Sequence, residues 1–220
     1  MITKIILTLV FGYFIISFAN NFIFKSGNFF DMYVGIPGSG KTTFAAYLAK
    51  KRLKKWNRKK KHDQNYCVLS NVPLKGANIV VKEDIGKYEI QNCLLILDEA
   101  GIDYNNRNFK NFSDDETYFY KFHRHYNVDV AMFSQDFDVD LKLRKLSTRL
   151  WIVNRSFFPG FIHAKQVKKF IGIDTTTKQL VDQYEFVLFG GKFIFAPKLW
   201  KMFNTFDRRT LPRKEFPKYE

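Results

Sequence analysis

Gly35-Ile36-Pro37-Gly38-Ser39-Gly40-Lys41-Thr42 spells the phosphate-binding pattern G-x-x-x-x-G-K-[ST], and it follows the short strand-like run Phe29 to Val34. The residue types suit a triphosphate. Glycines let backbone N–H groups approach the anion, Lys41 reaches the β and γ phosphates, and the Thr42 hydroxyl can ligate Mg²⁺. Thr42 through Lys55 spaces Phe44, Leu48 and Leu53, or the stem of Arg52, along one face. A helix is therefore expected to open at the loop, with its positive N-terminal pole toward the anion. The expected nucleotide-binding set is Gly35, Ile36, Pro37, Gly38, Ser39, Gly40, Lys41, Thr42 and the adjoining Thr43, with ATP and Mg²⁺ as ligands.

The partner of such a loop is an apolar strand ending in carboxylates, and Cys93 to Leu97 followed by Asp98-Glu99 fits. A continuous apolar run suits a buried parallel strand, and the C-terminal edge of such a sheet is where ligands bind. Asp98 is expected to hold Mg²⁺ with Thr42, while Glu99 orients and polarises the attacking water. Strand-like runs at Tyr66 to Val72 and Asn78 to Val81 precede this pair. After it come a polar, Asn-rich loop from Gly101 to Asp115, a helix over Glu116 to Tyr126 and a strand over Val128 to Phe133. Gln135 then stands at a strand end, with a sensor of the γ phosphate as the functional role and an ordinary turn residue as the plainer one. A short helix over Asp138 to Ser147 brings Arg144, and after it Arg149, toward the strand Leu150 to Asn154. Arg144 is the first candidate for a charge-stabilising arginine acting in cis or from a neighbouring subunit, Arg149 the second, with surface ion pairing as the plainer role.

Strand and helix alternate as far as Asn154, which assigns an α/β fold of the P-loop NTPase type: a mainly parallel sheet flanked by helices. Beyond it the pattern changes to strand pairs. Phe161 to Val167 follows a turn at Pro159-Gly160, and Val187 to Ile194 reads as a hairpin turning at Gly190-Gly191, the two extending the sheet edge. The organisation expected is an anchor over residues 1–25, one ATPase domain over 26–206 and an exposed tail over 207–220.

Thirty-six Lys and Arg against 21 Asp and Glu leave a net charge of +15, which favours an anionic partner. Nine of the twelve residues Lys50 to Lys61 are basic, with Trp56 among them, a composition that suits DNA, lipid headgroups or a solvated helix end. Residues 5–24 carry no charge. As a helix, about 20 residues span roughly the 30 Å of a bilayer core, so a retained transmembrane helix is expected, with a cleaved signal peptide as its rival. Nucleotide chemistry then places the enzyme on the cytoplasmic side. Cys67 and Cys93 sit in apolar runs and read as buried free thiols. His62, His123, His125 and His163 form no metal-ligand spacing.

Taken together, Gly35 to Thr42, Ser70-Asn71-Val72-Pro73, Asp98-Glu99-Ala100, and His123-Arg124-His125 with Asp129 and Ser134-Gln135 resemble the zonular occludens toxin-like ATPases of filamentous bacteriophages, in the FtsK and HerA translocase group. The likeness covers roughly residues 30 to 155. Asn127 replaces a glycine of the family phrase H-R-H-x-G-x-D, and asparagine tolerates the left-handed backbone such a position favours. The resemblance implies a homo-oligomeric ATPase in the host's cytoplasmic membrane. It would power assembly and extrusion of phage DNA, single-stranded DNA favoured, together with other phage assembly proteins. Family members carry the membrane segment after the ATPase domain, whereas here it precedes it, so no substantial periplasmic domain is expected. A nucleotide-binding membrane adaptor and a small-molecule phosphotransferase are the alternatives.

Overall fold

β1 (Phe30–Val34) is buried at all five positions, Asp31 included, because it lies between two parallel neighbours with packed layers on both faces. Those neighbours are β5 (Asp129–Ser134) and β6 (Arg149–Arg155). The computed structural model describes residues 8, 11–13, 15, 28–59, 67–100, 113–135, 145–173 and 180–204. Its eight strands form one mixed sheet in the order β3-β2-β4-β5-β1-β6-β7-β8, with β2 at Val68–Ser70, β3 at Asn78–Ile79 and β4 at Leu94–Leu97. All pairings from β3 to β6 are parallel, and β7 (Phe161–Ile173) and β8 (Leu180–Phe195) add antiparallel at the edge, as expected.

Helix α1 (Lys41–Lys59) begins on the loop lysine and runs on through much of the basic stretch, four residues past the expected end. Ala45, Ala46 and Ala49 are fully buried and let its axis lie close to the sheet, where Phe44 packs on Tyr33 at 5.1 Å between ring centres. The other face is covered by α2 (Asp114–Phe122), which buries Phe119 and Tyr120 against Phe30, Met32 and Met132. This helix starts two residues before the expected Glu116 because Ser113 caps it. Ser113 Oγ accepts from the Glu116 amide, and the Glu116 carboxylate accepts from the Ser113 amide, both at 3.1 Å. It also ends earlier than expected, at Phe122, and the chain turns to β5 through Asn127 at φ 53°, the left-handed conformation anticipated there.

The His123 to Asp129 phrase is a fastening at the N-terminal edge of the sheet. His123 is buried with Nδ1 2.9 Å from the Val128 carbonyl, and burial holds its pKa below the usual histidine value. Asp129 accepts from the Phe29 amide at 3.1 Å and from Arg52 of α1 at 3.2 Å, tying three elements together. At the same edge Arg149 grips Asp31 with two bonds of 2.7 and 2.8 Å. Burial raises the Asp31 pKa by more than Arg149 lowers it.

Gly190-Gly191 is not a hairpin turn. β8 runs straight through it, and the register against β7 jumps from Lys165↔Gly191 to Val167↔Phe186, so four residues of β8 face one of β7 in a bulge. A side chain at Gly190 would stand 2.9 Å from the Cβ atoms of Gln166 and Val187, which explains the glycine without a turn.

Cys67 and Cys93 are buried free thiols, and desolvation pushes Cys93 up to about 12. The membrane segment expected at residues 5–24 lies almost wholly outside the described residues, as do the tail over 207–220 and most of the loop and helix expected over Gly101 to Asp115 and Asp138 to Ser147. Among the described residues no helix is long and apolar enough to cross a membrane.

Candidate functional site

The chain leaves β1 at Val34 and turns back over the strand ends before α1 begins. Two glycines make the turn: Gly38 at φ 75° and Gly40 at φ 98°, both left-handed. A Cβ on Gly40 would also collide with the Ile162 side chain, and one on Gly35 with the Val153 carbonyl. The loop is thus pressed against β6 and β7 at positions where only glycine fits. Inside it, Lys41 is buried and its Nζ donates to the carbonyls of Gly35 at 2.6 Å and Ile36 at 3.1 Å. Ser39 Oγ is buried with no hydrogen-bond partner among the described residues. Ile36 and Pro37 form the exposed crest, and Thr43 is buried.

Thr42 Oγ1 donates to Asp98 Oδ2 at 2.6 Å, joining the start of α1 to the end of β4 across 56 residues of sequence. Mg²⁺ typically takes one or two protein oxygens and fills its octahedron with phosphate and water. A hydroxyl and a carboxylate already in contact supply that pair, so these residues fit the ion. Asp98 is held in place by Asn71, which follows β2. The Asn71 amide nitrogen donates to the Asp98 carbonyl at 2.8 Å, and the Asp98 backbone N–H donates to Asn71 Oδ1 at 2.7 Å. Burial raises the Asp98 pKa, opposed by the hydrogen bond from Thr42.

Glu99 is exposed beside it, with its backbone at φ 54°. A left-handed glutamate is uncommon and costs about 1 kcal/mol or more, and such backbone recurs at functional sites. Here it turns the chain so that Asp98 points down at Thr42 while Glu99 Oε1 accepts from Gln135 Nε2 at 3.4 Å. Lys41, Thr42, Asp98, Glu99 and Gln135 therefore line one cleft of about 720 Å³.

The arginines do not follow expectation. Arg144 lies outside the described residues. Arg149 is in register with Asp31 at the far end of the strand and is engaged there, so the structure corrects its candidacy. Arg155, which sequence reasoning missed, lines the cleft and donates from Nε to the Gly38 carbonyl at 2.7 Å. Its position was readable from the register: Val34 pairs with Ile152, so the third residue onward on β6 must run alongside the loop.

Residues 39–149 match the family model of zonular occludens toxin (Zot). The chain belongs to the Zot family. Among solved structures, this Zot-family chain is similar to the N-terminal domain of zonular occludens toxin from Neisseria meningitidis, at 17% identity and TM-score 0.49, covering 81% of this chain and 100% of that one. It is also similar to the genome packaging NTPase B204 of Sulfolobus turreted icosahedral virus 2 in complex with AMP, at 11% identity and TM-score 0.41, covering 72% and 98%. A third likeness is to the flagellar accessory protein FlaH of Methanocaldococcus jannaschii, at 10% identity and TM-score 0.39, covering 63% and 76%. Likenesses at this level say nothing about what the Zot-family chain binds. No curated protein matches it in sequence.

Proposed function

We propose that this Zot-family protein is a membrane-anchored ATPase that couples ATP hydrolysis to filamentous-phage assembly and DNA extrusion. The observation that carries the catalytic part is the 2.6 Å bond from Thr42 to Asp98, which assembles a cation-binding pair directly beside the lysine of a glycine-rich loop. In this reading the backbone amides of the 35–42 loop and Lys41 hold the β and γ phosphates, Lys41 exchanging its bonds to Gly35 and Ile36 for phosphate oxygens. Mg²⁺, held by Thr42 and Asp98, supplies neutralisation of the charge on the phosphates. Glu99 accepts the proton of the attacking water, and Gln135, bonded to it, orients both. Arg155, on the Gly38 carbonyl, adds positive charge in cis at the loop.

The remaining parts rest on family membership and charge. The net charge of +15 supports a polyanionic partner, for which single-stranded DNA is favoured. Residues 5–24 would anchor the chain in the host's cytoplasmic membrane as a single pass with the ATPase domain in the cytoplasm. A homo-oligomer and contacts with other phage assembly proteins complete the reading. The test is ATP turnover by the purified protein, with Lys41→Ala as blank, with and without single-stranded DNA. Lys41-dependent turnover that rises with DNA is the expected result. Nucleotide binding without turnover under any condition would overturn hydrolysis and leave a nucleotide-switch adaptor.

A further inference from the structure

The cleft is longer than its phosphate chemistry requires. Asp98, Glu99 and Gln135 follow β4 and β5 on one side of the loop, and Thr42 at the start of α1 is bonded to Asp98, whereas the sheet order puts β6 and β7 on the other side of β1. The cleft continues that way, past Arg155, to a wall of Phe158, Pro159, Phe161, Trp200 and Phe203. A bound triphosphate whose γ end lies at Thr42 and Asp98 must lead its sugar and base away from them, and this wall stands on the side opposite to that pair.

Two observations mark the wall as a built surface. Trp200 and Phe158 are 59% and 65% exposed, so a large apolar area faces the cleft without serving the core. Its backing is nonetheless fixed. The Ala196 amide donates to the Gly160 carbonyl at 2.8 Å, the Lys75 amide donates to the Met202 carbonyl at 2.8 Å, and Ala196 and Leu199 are buried in the core under α1. Aromatic rings on rigid backbone offer stacking area at little entropic cost. At this end of the cleft no described lining residue carries a side-chain amide or carboxylate; its polar side chains are Arg155, which donates to the Gly38 carbonyl, and Ser156, whose Oγ accepts from the Phe158 amide, so the wall itself meets a base chiefly with ring faces.

We propose that the aromatic wall formed by Phe158, Trp200 and Phe203 is a nucleobase subsite that takes a nucleoside triphosphate by stacking and does not discriminate adenine from guanine. The inference rests on the phosphate reading of the 35–42 loop and deepens it. Stacking has no edge requirement, because every base presents a π face. The wall therefore sets affinity, and the loop sets the requirement for a triphosphate.

The experiment compares dissociation constants of ATP, GTP and inorganic tripolyphosphate, each with Mg²⁺, for the full chain and for Trp200→Ala, Phe158→Ala and the double variant. Wild type is expected to bind ATP about 10- to 100-fold more tightly than tripolyphosphate, the worth of one stacked base, and to bind GTP within about fivefold of ATP. The double variant is expected to lose that advantage to within about threefold while tripolyphosphate affinity stays constant; Trp200→Phe restores most of it. Quenching of Trp200 fluorescence by ATP but not by tripolyphosphate is the independent readout, referenced to Trp200→Phe. An ATP advantage that survives in the double variant overturns the subsite and leaves the phosphate reading intact. Preference for ATP over GTP above about 50-fold overturns stacking as the mode of base reading. Failure of wild type to bind tripolyphosphate or ATP removes the phosphate reading and the subsite with it.

Discussion

Replacing Arg149 by methionine tests whether that arginine fastens the sheet or serves the nucleotide. Asp31 is fully buried, its side chain 1% exposed, and Arg149 supplies two charge-assisted bonds of 2.7 and 2.8 Å from a side chain that is 29% exposed. Removing the arginine leaves Asp31 with the Tyr33 hydroxyl at 3.2 Å and the weaker attraction of Lys192. Breaking a buried pair costs about 3–5 kcal/mol, and the partial exposure of Arg149 and the surviving Tyr33 bond set the expectation at the lower end, about 3 kcal/mol. For a chain of this size that is a fall in Tm of roughly 6–12 °C. The assay is urea unfolding of wild type, Arg149→Met, Asp31→Leu and the double variant. The double variant should recover to within about 1 kcal/mol of wild type, because an apolar pair of similar volume fills the same space. The pH dependence has a definite sign. Burial already raises the folded pKa of Asp31 above 3.8, so its charged form penalises folding at neutral pH, and the penalty shrinks as pH falls through the folded pKa toward 3.8. Without Arg149 that pKa rises further. The deficit of Arg149→Met relative to wild type should therefore narrow as pH falls through the variant's raised folded pKa. A cost below about 1 kcal/mol together with lost ATP turnover would refute the structural role and return Arg149 to the nucleotide.

Glu99→Gln keeps the hydrogen bond geometry and removes the base, so ATP binding should persist while turnover falls about 10²- to 10⁴-fold; undiminished hydrolysis removes Glu99 from its role. Asn71→Ala deletes both bonds that hold the Asp98 backbone and should destabilise the fold by about 1–3 kcal/mol, with weaker Mg²⁺-dependent nucleotide binding, read by calorimetry. Gly40→Ala puts a Cβ into Ile162 at a φ of 98° and should abolish nucleotide binding with the fold retained; adding Ile162→Ala relieves the collision but not the backbone, so rescue by that change would count against the conformational argument. His123 is held neutral by burial, so the stability it contributes is complete above about pH 6.5 and is lost as pH falls from there through its lowered folded pKa; His123→Gln should flatten that part of the stability profile.

The phosphate end of the cleft was legible because its chemistry is local in sequence. Gly35 to Thr42 is contiguous, and Asp98-Glu99 closes an apolar run, so strand, loop and acidic pair could each be placed before their contact was known. What sequence could not supply was register. Arg149 and Arg155 differ by six residues on one strand, and the pairing of Val34 with Ile152 alone decides which of them reaches the loop. Gly190-Gly191 misled for a related reason, since two glycines serve a bulge as well as a turn, and only the opposing strand tells them apart. The aromatic wall joins residues near 158 to residues near 200, and neither segment carries a motif.

The placement of β1 also has a consequence for how the chain is made. Its contacts at the N-terminal edge are with residues 100 and 118 positions later, on β5 and β6. A ribosome must therefore deliver the chain past Arg155 before Phe30-Asp31-Met32-Tyr33-Val34 acquires both neighbours, whereas β7 and β8 close on one another soon after they emerge. At synthesis rates of about 5–20 residues per second, the central strand waits roughly 6–25 s before both its edges can be paired. Assembly from such distant partners is slow, and an apolar strand left open is prone to pair with another chain. The segment that presents the nucleotide loop is thus open to mispairing during synthesis, which is where a chaperone would act.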